Sequence, residues 1–238
     1  MRLIGISDLH LSSKTVLGRP RLSVGAQFLA DLIVLAKQHG VSQIAFLGDT
    51  VDSKTDMQAL LLLHRFLGAV KKNGIDVILL GGNHENVLRS DPTNSVLALL
   101  DGMADVILLP QIRRFPYVTV FCAPWAREET FIGNAEKLAA VAAQTPGHKI
   151  LLAHVGLKEG RINASNIEIP RRVSVKHLHA DLYDLVLLGD YHVHQQVASN
   201  AYYLGAPYQH QFGDEGTVGP WLVDTDDGSM EALDLPNP

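Results

Sequence analysis

The sequence predicts an α/β fold in which two mixed β-sheets pack face to face, with helices on their outer surfaces. Three observations predict it. Up to residue 100 the chain alternates strand-like and helix-like patterns, and beyond it short apolar runs dominate. Five of the apolar runs also stop abruptly at clusters of Asp, His or Asn, as strands do where an α/β sheet gathers its ligands.

The elements follow in order. Leu3, Ile4 and Ile6 form a short strand ending in "SDLH". Residues 24–39 place apolar side chains at helical spacing, and Gly40 is the stop. "SQIAFLGDTVD" is a buried strand ending in acids; residues 56–72 form a helix closed by Asn73-Gly74; "DVILLGGNHE" is the next strand. This alternation implies parallel pairing with helical crossovers. Strands are expected near 105–109, 117–122, 149–153, 184–188, 196–204 and 219–224, with a helix at 130–143. No repeat, low-complexity tract or linker interrupts the series, so one domain over 1–238 is expected.

Composition narrows the function. With 47% hydrophobic and 19% charged residues the chain has material for a large core. A net charge of −5 argues against attachment to nucleic acid by bulk charge, although site carboxylates that bind metal would count as negative here. The one cysteine, Cys122, lies in an apolar run and reads as a core thiol in a reducing compartment. "MRLIGISDLH" has no secretory apolar stretch and no run approaches a membrane span, so a cytoplasmic, non-membrane protein is expected.

The chemistry lies at the strand ends. "GISDLH" carries Asp8 and His10, "FLGDTVD" carries Asp49 and Asp52, "LLGGNHE" carries Asn83, His84 and Glu85, "ILLAHVG" carries His154, and "LLGDYHVH" carries His192 and His194. Any one segment could be a capped strand end. Ionised carboxylates beside a core need a positive partner, and no Lys or Arg lies within these five stretches, so a divalent metal is the natural candidate.

The order D-x-H, G-D-x-x-D, G-N-H-E, H, H-x-H resembles the calcineurin-like metallophosphoesterases over residues 8–194. The resemblance implies two metal ions. One would take Asp8, His10, Asp49 and His194; the other Asp49, Asn83, His154 and His192, with Asp49 bridging. Two such ions, about 3.5–4 Å apart, activate water and clamp both oxygens of an in-line displacement. Mixed N and O ligands suit manganese, with iron or zinc as alternatives. His84 would stabilise developing charge or protonate the leaving oxygen. Asp52 and Glu85 would orient the imidazoles. One departure stands out: the family has glycine just before H-x-H, where this chain has Tyr191, with Gly189-Asp190 upstream, which implies a shift of one or two residues in that loop.

Residues 202–228 resemble the segment that follows H-x-H in SbcD-type and phage recombination nucleases, and "APW" at 123–125 resembles a turn in the same enzymes. The resemblance implies a DNA exonuclease and endonuclease of repair or recombination. Tyr208 and Gln209 are the expected substrate contacts, and an SMC-like ATPase of SbcC type is the candidate partner. Those nucleases carry a capping domain and a C-terminal ATPase-binding region; with the chain ending at Pro238, the catalytic core alone is expected. The alternative is a small-substrate phosphodiesterase or phosphomonoesterase on the same core. The pairs Arg113-Arg114 and Arg171-Arg172, and the "KHLH" histidines 177 and 179, read as surface.

Overall fold

The computed structural model describes residues 1–16, 18–88, 91–161, 171–208 and 219–235. Two six-stranded sheets form the centre. The first runs, edge to edge, through Met230–Ala232, Trp221–Asp224, Arg2–Ile6, Gln43–Leu47, Asp76–Leu80 and Asp105–Ile107. Its last four strands are parallel neighbours, and the two C-terminal strands add on antiparallel. The second runs through Gln195–Ala198, Ala201–Tyr203, Leu185–Gly189, His148–His154, Val118–Ala123 and Gln111–Arg114, parallel inside and antiparallel at each edge.

Both sheets are apolar on both faces, because each is covered twice. In Gln43–Leu47, Ile44 and Phe46 face the helices while Ala45 and Leu47 face the other sheet. The second sheet repeats this period of two. Ile150, Leu152, Leu185 and Leu187 meet the first sheet; Leu151, Ala153, Val186 and Leu188 point outward to a third core. The strands therefore read as continuous apolar runs, as doubly covered strands do. Helices α1 (Arg21–Gln38) and α2 (Met57–Lys72) cover the first sheet, and α3 (Glu128–Ala142) covers the second. The fold class expected from the sequence is the one observed.

Local chemistry sets the helix ends. The α1 helix begins three residues earlier than its periodicity suggested, because Pro20 at φ −66° is already set for a helix entry. The α2 helix is capped by Asp56, whose carboxylate accepts the Ala59 amide at 3.0 Å, and Gly74 at φ 70° follows it. The single strand expected over 196–204 is instead a hairpin, Gln195–Ala198 against Ala201–Tyr203, turning at Ser199-Asn200. His177 caps a short helix α4 (Val175–Leu178), its Nδ1 accepting the Ser174 amide at 3.0 Å.

Candidate metal centre

Every parallel strand of the two sheets that carries one of the polar clusters delivers it to the same edge. Asp8 and His10 follow Ile6, Asp49 follows Leu47, Asn83 and His84 follow Leu80, His154 closes its strand, and Asp190 and His192 follow Gly189. The backbone turns sharply here. Asp8, His10, Asp49 and Asp190 sit at φ 52°, 45°, 48° and 101°; among the described residues the only other non-glycine at positive φ is His179. Each such residue costs about 1–3 kcal/mol and persists only where its surroundings over-determine it. Two loops hold each other in place: Asp8 N–H donates to Gly48 O at 3.2 Å, His10 N–H to Asp49 O at 2.9 Å, and Leu11 N–H to Thr50 O at 2.9 Å. Glu85, fully buried, ties in the third loop. Its carboxylate accepts the amides of Thr50, of Val51 at 3.2 Å and of Gly82 at 3.0 Å.

The side chains converge on a small volume. His154 Nδ1 donates to Leu47 O at 2.6 Å, which orients the ring so that Nε2 faces the cluster. That Nε2 lies 3.3 Å from Asn83 Oδ1, 3.5 Å from Asp49 Oδ2 and 3.8 Å from Asp190 Oδ1. On the other side His10 Nε2 lies 3.2 Å from His192 Nε2 and 3.9 Å from Asp49 Oδ2. The Asp190 amide donates to both Asp8 oxygens at 3.2 Å, and the His84 amide to Asp49 Oδ1 at 3.0 Å. Burial raises the Asp8 pKa to about 6 against the pull of His154 and His192. Burial acts the same way on Asp49, but His154, His10 and His84 outweigh it and hold that carboxyl well below its usual range.

These residues fit divalent cations. Ligand atoms of Asp8, His10 and His192 lie within 4.8 Å of one another, as do those of Asp8, Asp49 and His154 and those of His10, Asp49 and His84. Asp190 Oδ2 is buried without a hydrogen bond. Glycine clears the space: a Cβ on Gly48 would fall 2.2 Å from His154 Nδ1, and one on Gly82 would fall 2.2 Å from Asp49 Oδ1.

Of the residues expected to hold metal, the structure brings together Asp8, His10, Asp49, Asn83, His154 and His192, with His84 at the rim. It does not bring His194. That imidazole donates from Nδ1 to Tyr203 O at 2.7 Å and packs on Trp221 at 4.3 Å between ring centres, outside the cluster. The pairing of the last motif is therefore corrected. His192, assigned to the His154 side, stands instead with Asp8 and His10, in the place given to His194. Asp190, which sequence reasoning passed over, stands beside His154 and Asn83. The legible signal was Gly189. It ends the strand, so the family's glycine is present, and counting from it reaches Asp190 and His192. A Cβ on Gly189 would fall 2.3 Å from Leu47 O.

Among the supporting residues, Glu85 and Tyr208 differ from expectation, whereas Asp52 lies beside two imidazoles. Glu85 hydrogen-bonds backbone amides, not an imidazole, because its loop needs fastening at three points. Asp52 salt-bridges Lys14 at 2.8 Å, sits 3.7 Å from His10 Nδ1, and through its carbonyl accepts His84 Nδ1 at 2.8 Å. Tyr208, expected to contact substrate, is buried. Its hydroxyl donates to Leu9 O at 2.7 Å and its ring packs edge-on against Phe28, so it braces the loop that carries His10. Gln209 lies outside the described residues. Lys14 and Arg21, neither singled out from the sequence, line the cavity at the cluster. Arg113 and Arg172 are held by Asp105 and Glu129.

Comparison with known proteins agrees with this fold. A family model for calcineurin-like phosphoesterases matches residues 1–211, and the chain belongs to that family, a family of metal-dependent phosphoesterases. It is 28% identical over 102 residues to the SbcD component of the nuclease SbcCD from Escherichia coli K12, and equally to that of E. coli O157:H7. That stretch is 42% of this chain and spans 25% of the length of those relatives. A dimetal phosphatase from Danio rerio superposes with a TM-score of 0.56 at 13% identity, over 98% of this chain and 95% of the other. Purple acid phosphatase PPD1 from yellow lupin gives 0.59 at 12%, over 97% of this chain and 52% of the other. A Thermus thermophilus protein gives 0.58 at 16%, over 98% and 97%. At these identities the likeness is one of fold. Among the described residues no helix is long and apolar enough to cross a membrane.

Proposed function

We propose that this calcineurin-like phosphoesterase is a dinuclear phosphodiesterase that cleaves DNA, a nuclease of SbcD type acting in repair or recombination. The observation that carries the reading is the cavity of about 400 Å³ at the strand ends, where Lys14 and Arg21 join His10, Asp49, Asn83, His84 and His192. Cations beside a phosphoester site suit a polyanion, whose neighbouring phosphates need positioning contacts. The matched stretch of SbcD supports the same substrate class. That relative is one component of a nuclease, so a partner chain, an ATPase of SbcC type, is part of the reading.

One ion would be held by Asp8, His10, Asp49 and His192, and a second by Asp49, Asn83 and His154, with manganese as the proposed metal. Bound there, the ions would supply Lewis acidity toward phosphoryl oxygens and water of lowered pKa. The chain's own residues do the rest. The contact between His84 Nδ1 and the Asp52 carbonyl leaves Nε2, 3.8 Å from Asp49 Oδ2, as the atom open to substrate. Protonated at Nε2, it donates to the phosphoryl or leaving oxygen.

The test is a time course on end-labelled double- and single-stranded DNA with manganese, beside bis-p-nitrophenyl phosphate and a nucleotide monoester. DNA should be degraded, and His84→Ala should lower kcat by about 10²-fold or more with metal content unchanged. Turnover of the small esters with DNA left intact would replace the nuclease reading with the small-substrate one.

A further inference from the structure

The two halves of the cluster differ in chemistry, and the difference comes from one residue. Around His192 the donors are two imidazoles, His10 and His192, with the carboxylates of Asp8 and Asp49. Around His154 a single imidazole faces the oxygens of Asp49, Asn83 and Asp190, at 3.5, 3.3 and 3.8 Å from its Nε2. Counted from Gly189 as the glycine that precedes H-x-H, Asp190 stands at the motif's first histidine position.

Asp190 is built into this place. Its backbone sits at φ 101°, and its N–H donates to both oxygens of the Asp8 carboxylate at 3.2 Å. Its Oδ2 is buried with no hydrogen bond and faces Arg171 Nη2 at 3.5 Å. Space for the pair is made by Gly156, where a Cβ would fall 2.5 Å from Asp190 Oδ2 and 2.9 Å from the Arg171 guanidinium carbon. The other carboxylate oxygen, Oδ1, lies 3.8 Å from His154 Nε2, the atom that also meets Asn83 and Asp49.

We infer that Asp190 is a ligand of the second metal position and makes that position selective for a hard, oxygen-preferring divalent ion such as manganese or magnesium, while the first position keeps the imidazole-rich character that suits zinc or iron. This rests on the dinuclear reading above. The reason is donor chemistry: carboxylate and carbonyl oxygens suit Mg and Mn, whereas imidazole suits Zn and Fe. Asp190 also brings a third carboxylate to a pair of divalent ions whose charge Asp8 and Asp49 would only half offset. Arg171 positions that carboxylate from behind, as outer partners of metal ligands do.

The experiment is equilibrium dialysis of the metal-stripped full chain against manganese, with metal analysis and electron paramagnetic resonance of the bound ion. Wild type should take up two manganese ions. Asp190→Asn should retain one at wild-type affinity and weaken the other by at least 10-fold. Asp190→His should restore two-ion uptake but, in equimolar manganese and zinc, replace one manganese by zinc. If Asp190→Asn does not fold, the competition result in Asp190→His decides alone. Unchanged manganese affinities in Asp190→Asn, or an unchanged zinc-to-manganese ratio in Asp190→His, would overturn the assignment. Uptake of fewer than two ions by wild type would instead overturn the dinuclear reading on which it rests.

Discussion

Removing the Glu85 carboxylate should damage the site more than removing any single hydrogen bond, and the magnitude can be worked from its contacts. Glu85 is fully buried and accepts three backbone amides, those of Thr50 and Val51 on one oxygen and that of Gly82 on the other. In Glu85→Ala all three N–H groups lose their acceptor in a buried place. At about 1–3 kcal/mol for each unsatisfied donor, the loss is about 3–6 kcal/mol after partial relief by water. That is a large share of a typical stability of about 5–15 kcal/mol. Glu85→Gln keeps one acceptor oxygen. Oriented toward Thr50 and Val51, it preserves two bonds and sets its NH₂ against the Gly82 amide, for a loss of about 1–3 kcal/mol. Urea unfolding of the metal-stripped protein, read by circular dichroism, should therefore rank wild type above Gln above Ala, with unchanged m-values. Manganese affinity should fall in the same order, because the amides in question belong to the loops carrying Asp49 and Asn83. If Ala is as stable as Gln, or both lie within about 0.5 kcal/mol of wild type, the fastening role is wrong.

Three further outcomes follow from other contacts. Gly48→Ala should give a folded protein that binds manganese at least 10-fold more weakly, since Gly48 holds φ 91° and the new Cβ would meet the His154 ring; dialysis at wild-type affinity would refute this. Tyr208→Phe should cost about 1 kcal/mol in urea unfolding by removing the bond to Leu9 O while leaving the ring on Phe28, and a loss below about 0.3 kcal/mol would show that the hydroxyl bond contributes nothing. Cys122 is buried, and its thiol pKa is pushed up to about 12 by that burial. A disulfide reagent at pH 8 should therefore release no thiolate from the native protein and one equivalent in guanidinium; prompt native labelling would contradict the burial.

The fold was legible because its signals are local and repeated. A strand covered on both faces is an apolar run, and runs such as "IAFLG", "VILLGG" and "LVLLGD" each end where the polar residues begin. What was not legible depends on register and on partners distant in sequence. Tyr208 reads the same whether it stacks on a base or braces Leu9, because nothing near it shows that α1 will bring Phe28 against its ring. Glu85 reads as a helper of histidines because its neighbours in sequence are ligands; its actual partners, Thr50 and Val51, are brought to it by a different loop.

The last motif is the most instructive case, because two readings of "GDYHVH" each place two possible ligands on the same side of an extended segment. Counting back from H-x-H gives His192 and His194; counting forward from the glycine that ends the strand gives Asp190 and His192. Backbone geometry decides between them. Gly189 closes the strand against Leu47 O, and Asp190 then turns at φ 101° with its amide on the Asp8 carboxylate. From that anchor His192 reaches His10, whereas His194, two residues further on, is already beside the hairpin strand and is held there by Tyr203 O and Trp221. A ligand is thus fixed by the strand end that launches it. Reading from the last buried residue outward, and not from the most conspicuous pair of histidines, is what reaches the carboxylate beside His154.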